Sequence, residues 1–95
     1  MTIESAQVRA GRALIGWSQA KLAAAAGLPL PTVEEFENGA AHNVPEWAVA
    51  KMQATLESAG VAFISELGGG AGVRFRTGRE SKYLGWEELN ASNDE

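Results

Sequence analysis

The chain has no cysteine. That excludes disulfides and any zinc site built on thiolates, and it suits a reducing compartment such as the cytoplasm. Only one histidine is present, His42, with no second metal ligand at useful spacing, so no metal site is expected. No apolar run approaches the ~20 residues that cross a bilayer, and no signal-peptide pattern is visible, so a membrane partner is not expected either. Cations are scarce too. Eight Lys and Arg stand against twelve Asp and Glu, for a net charge of −4. Affinity for nucleic acid in general comes mainly from Lys and Arg displacing counterions, and this balance counts against it. The scarcity is greatest mid-chain, where residues 27–46 hold no Lys or Arg and four Glu.

What is present suits one small domain. Ninety-five residues, 45% of them hydrophobic, can bury a modest core. Residues 3–15 read as a first helix, with Val8, Gly11 or Arg12, and Ile15 recurring on one face until Gly16 ends it. Ser18 is a good N-cap for a second helix over 19–26, whose four consecutive alanines favour helix and allow close packing. Gly27 supplies a turn at positive φ. The segment Leu28-Pro29-Leu30-Pro31 reads as extended, because a residue before proline is pushed away from α geometry. Pro31 then suits the first turn of a third helix that runs to Asn38. A loop over 40–44 follows, and Pro45 starts a fourth helix over 46–59 with Val49, Met52 and Leu56 on one face.

After Gly60 the period changes. Residues 61–64 and 73–76 read as the strands of a β-hairpin joined by a glycine-rich connection. An isolated hairpin is only marginally stable in water, so it must pack on the helices, on a second subunit or on a partner. Val73 and Phe75 fall on one face, Arg74 and Arg76 on the other, and an exposed edge would allow a homodimer through residues 61–76. Residues 77–95 read as a polar, flexible tail around Tyr83, Leu84, Trp86 and Leu89. The expected organisation is therefore 1–60 helical, 61–76 hairpin and 77–95 tail. The glycine run lacks the Lys-Ser/Thr that follows a phosphate loop, and no Ser/His/Asp arrangement is present. No enzyme and no cofactor are expected.

Two helices crossing steeply over a short turn need a small residue in the first, a glycine at the turn and a β-branched residue early in the second. Ala23, Gly27 and Val33 meet those needs. With Gly16-Trp17-Ser18-Gln19-Ala20-Lys21-Leu22-Ala23-Ala24-Ala25-Ala26-Gly27 followed by Thr32-Val33-Glu34-Glu35-Phe36-Glu37-Asn38-Gly39, the spacing resembles the Cro/C1-type (XRE) helix-turn-helix family of phage and bacterial regulators. The resemblance covers residues 5–59. It implies a mainly α fold, a bundle of four to five helices, here followed by the two-stranded β-hairpin. It implies a structural ion pair between Arg12 and Glu37. It also implies that bases would be read from Leu30, Pro31, Glu34 and Glu35, with Gln19, Lys21, Asn38, Asn43 and Arg9 as the candidate phosphate contacts.

Those reading positions carry the wrong chemistry for DNA. Direct readout uses Arg, Lys, Asn or Gln to satisfy base edges. Here Pro31 offers no side-chain hydrogen bond, and Glu34 and Glu35 would set two carboxylates against phosphates. The reading is therefore a non-enzymatic transcriptional regulator that binds another protein through Leu30, Pro31, Glu34 and Glu35, with Trp17 and Trp86 as further contacts. Trp47 is another candidate for exposure, and Trp is enriched at binding hot spots. More distantly, the size and the acidic third helix are similar to the small antiactivators that silence quorum-sensing transcriptional activators on rhizobial mobile elements. That likeness implies a transcriptional activator as partner. The alternative is a DNA-binding repressor that sits as a homodimer on a palindromic operator.

Overall fold

Among the described residues four helices form, and a hairpin closes over two of them. The computed structural model describes residues 3–65 and 69–76. In order, the elements are α1 (Ser5–Ile15), α2 (Gln19–Ala26), α3 (Leu30–Glu37), a 3-10 turn (Ala41–Asn43), α4 (Glu46–Ser58), β1 (Val61–Ile64) and β2 (Gly72–Phe75). Among these residues the fold is mainly helical with one two-stranded antiparallel sheet. Among the described residues no helix is long and apolar enough to cross a membrane.

The caps follow from residue type. Ser18 Oγ accepts from the Lys21 backbone N–H at 3.0 Å and starts α2. Gly16 and Gly27 end α1 and α2 at φ 69° and 71°, in the left-handed region that glycine enters without a Cβ clash. α1 starts two residues later than its apolar spacing predicts. Glu4 is its N-cap, extended at φ −101° and ψ 157°, and Ile3 is buried in the core outside the helix.

α3 departs from the sequence expectation in a different way. Only residues up to Pro29 are extended (Pro29 φ −64°, ψ 143°), and Leu30 is already helical although it precedes Pro31. Pro31 is the second helical residue. At that depth its missing N–H has no intrahelical acceptor to lose and its ring meets no carbonyl four residues back, so the helix tolerates both residues.

Val8, Leu22, Val33, Met52, Leu56 and Val61 are the largest fully buried side chains and come from α1, α2, α3, α4 and β1. Ala23 and Ala26 are buried where α2 packs on its neighbours, while Ala24 and Ala25 face solvent. On α4 the buried row is Ala48, Met52 and Leu56. Val49, expected on that face, is half-buried at its margin.

The hairpin pairs Val61 with Phe75, Ala62 with Arg74, Phe63 with Val73 and Ile64 with Gly72. The second strand therefore lies one residue earlier than expected, at 72–75. Arg76 is still tied to the hairpin's start, since its backbone N–H donates to the Gly60 carbonyl at 2.9 Å. Both strands pack on α1 or α4 of the same chain, with Phe63 and Val73 against the core. The support that a two-stranded hairpin needs thus comes from its own helices.

One polar side chain fastens it. Gln7 is buried on α1, and its Nε2 donates to the Ile64 carbonyl at 3.1 Å and to the Gly72 carbonyl at 3.0 Å. Its Oε1 accepts the Glu4 backbone N–H at 2.8 Å, so one amide both caps α1 and clips the ends of the two strands.

Candidate functional site

α3 presents its chemistry in two opposite halves. Val33, Phe36 and Glu37 are buried. Leu30, Pro31, Glu35 and Asn38 are exposed, and Glu34 is half-buried. Positions i, i+1, i+4, i+5 and i+8 fall on one side of a helix with 3.6 residues per turn, so these five residues form a single stripe. Leu30, at 38% exposure, is its large apolar member. Leu28, the neighbouring Leu before the helix, is core.

Glu37 holds this helix in place. Its side chain is 1% exposed, and its carboxylate accepts from Arg12 Nε at 2.7 Å, Arg12 Nη2 at 2.7 Å and Gln19 Nε2 at 3.0 Å. Arg12 Nη1 also donates to the Trp17 carbonyl at 3.0 Å. The hydrogen bond to Glu37 raises the Arg12 guanidinium above its usual pKa. Burial opposes that rise, and the Glu37 charge adds to it. Arg9 Nη1 donates to the Glu37 backbone carbonyl. A single residue is thereby bound to α1, to the first turn of α2 and, through Arg12, to the turn between them. A fork-to-carboxylate pair of this kind fixes orientation as well as charge.

This network engages two of the candidate phosphate contacts. Gln19 Nε2 donates to the Glu37 carboxylate and Arg9 Nη1 to the Glu37 backbone carbonyl, while Arg9 as a whole is exposed. Glu37 offers a buried carboxylate and a helix-end carbonyl that need donors, and these two side chains supply them. The remaining candidates are exposed: Asn38 at the end of α3, Asn43 in the 3-10 turn, and Lys21 on α2. Lys21 Nζ stands 5.5 Å from the Trp17 ring centroid, within cation–π range.

Trp17 does not join the α3 stripe. It is half-buried against the core and borders a surface depression with Ala25, Thr55, Ser58 and Ala59, between α2 and the end of α4. Trp86 and the rest of 77–95 lie outside the described residues. Trp47 is 62% exposed on α4. Among the described residues no group of three His, Cys, Asp or Glu could hold a metal ion.

The outward face of α3 is therefore acidic and apolar. Gln19 and Arg9 each give a donor to Glu37 behind it, Lys21, Asn38 and Asn43 remain exposed, and the Arg12–Glu37 pair holds the helix from its buried side. Comparison with models of known protein families and with curated protein sequences found no match for this chain.

Proposed function

We propose that this chain is a small non-enzymatic regulator of transcription, built on a Cro/C1-type helix-turn-helix scaffold, that acts by binding another protein. The partner in this reading is a transcriptional activator, and the contact is the exposed stripe of α3. One observation carries it: the stripe offers Glu34 and Glu35 and no cation, while Arg9 and Gln19 are bonded to Glu37. Carboxylates in a DNA groove would add repulsion where counterion release is needed. Against a basic protein surface the same carboxylates steer encounter and fix register. A basic DNA-contacting surface of an activator fits that requirement, and occupying it would silence the activator.

Two measurements test the reading. Anisotropy of a labelled pool of upstream DNA should show no specific binding at physiological salt, and a specific complex with a steep salt slope overturns the proposal. A pull-down should return a transcription factor whose capture is lost in Glu34→Lys/Glu35→Lys. Capture that survives the double reversal removes α3 as the contact.

A further inference from the structure

We infer that the partner segment is a basic amphipathic helix whose apolar side chains enter a groove between α4 and the 3-10 turn after α3. This inference rests on the protein-binding reading above and names the chemistry of the partner. The groove has a volume of about 460 Å³. Its floor includes Ile3, Phe36 and Val44, three members of the buried core that are reached from the surface here. Val49 and Ala50 line it as well, and among the described residues Glu46 is its one charged lining residue.

Two features decide the occupant. The first is shape. α4 contributes Glu46, Val49, Ala50 and Gln53, which are spaced i, i+3, i+4 and i+7. That is two turns of one helix face, the spacing against which a second helix lays its own apolar row. Trp47 is one residue from Glu46 and three from Ala50, so it flanks this face while most of its ring is in water. An exposed Trp beside an apolar groove is the composition of a binding hot spot.

The second feature is charge. Among the described residues no Lys or Arg lines the groove, and residues 28–50 contain none. Glu46 lies on the groove, while Glu34 and Glu35 face away from Phe36 on the outward stripe of α3. The first cation beyond this stretch is Lys51, exposed on α4 after Ala50. A helix with Lys or Arg beside its apolar row complements Glu46 while its apolar side chains fill the groove.

The test uses the full chain and a fluorescein-labelled synthetic peptide of about 14 residues, with Leu at i, i+3, i+4 and i+7 and Lys elsewhere. Its control carries Glu in place of each Lys. The Lys peptide should bind and the Glu peptide should not. Ala50→Arg should weaken Lys-peptide binding about tenfold or more, whereas Ala13→Arg, the same charge change at an exposed site on α1, should leave it within about twofold. Circular dichroism on both variants confirms that they are folded. Equal binding of the two peptides, or unchanged binding to folded Ala50→Arg, overturns the groove. If Ala50→Arg binds normally while Glu34→Lys/Glu35→Lys loses the peptide, the groove inference fails and α3 stands as the contact.

Discussion

Gly11 on α1 leaves the room that Val61 fills at the start of β1. A Cβ placed on Gly11 would stand 3.3 Å from Val61 Cγ1 and 3.5 Å from Leu56 Cδ1. A side chain at that position would require Val61 to give by a few tenths of an ångström. Gly11→Val should therefore cost about 1–3 kcal/mol through overpacking, measured by urea unfolding. Adding Val61→Ala should make the double variant less destabilised than the sum of the two single changes, since the pair shares one space.

The Arg12–Glu37 pair should be strongly asymmetric toward loss of the cation. Arg12→Ala leaves a carboxylate that is 1% exposed with Gln19 as its remaining side-chain donor, and the expected cost is about 3–5 kcal/mol. Replacing both members, as Arg12→Met/Glu37→Leu, should recover part of that loss because no charge is then left buried. Equilibrium unfolding of the single and double variants checks the order.

The raised pKa of Arg12 sets a pH signature. A cation whose folded pKa exceeds its unfolded value contributes stability at all pH below the unfolded value, and loses it as pH rises through the folded one. For Arg that window lies beyond ordinary alkaline conditions, so this pair should not weaken between about pH 7 and 10. Arg12→Lys moves the window down, because an unperturbed Lys titrates near ~10.4. The Lys variant should be less stable at pH 7, having lost the two-pronged contact, and its Tm should fall further relative to the parent above about pH 10.

Gln7 should be the polar determinant of hairpin attachment. Gln7→Leu keeps the buried volume and removes the bonds to Ile64, Gly72 and Glu4. A loss of about 1–3 kcal/mol is expected. Hydrogen exchange should accelerate first at 61–64 and 72–75, while the α2–α3 amides keep their protection.

Local signals in the sequence located most of the elements. Ser18 and Gly27 bound α2 because their chemistry acts within a few residues, and the alternation of Val73, Arg74 and Phe75 marks a strand for the same reason. Long-range choices were less legible. Nothing near Gln19 or Arg9 reveals that a buried Glu37, 18 and 28 residues away, will claim their donors. The role of Gln7 is equally remote, since its acceptors lie 57 and 65 residues along the chain. Leu30 shows the limit of a local rule, because position within a helix decided whether the following proline mattered. The α3 stripe was visible as composition. The groove under Ala50 was not, because Ile3, Phe36, Val44 and Val49 meet only in three dimensions.

The placement of Glu37 separates the anchoring of α3 from its outward chemistry. The residue that orients α3 points away from solvent, and the residues that give α3 its outward character make no part of that bond network. The side chains of Leu30, Pro31, Glu34, Glu35 and Asn38 thus lie outside the Glu37 network that positions the helix. Substitutions on that face can change its charge and shape without touching the bonds that anchor the helix.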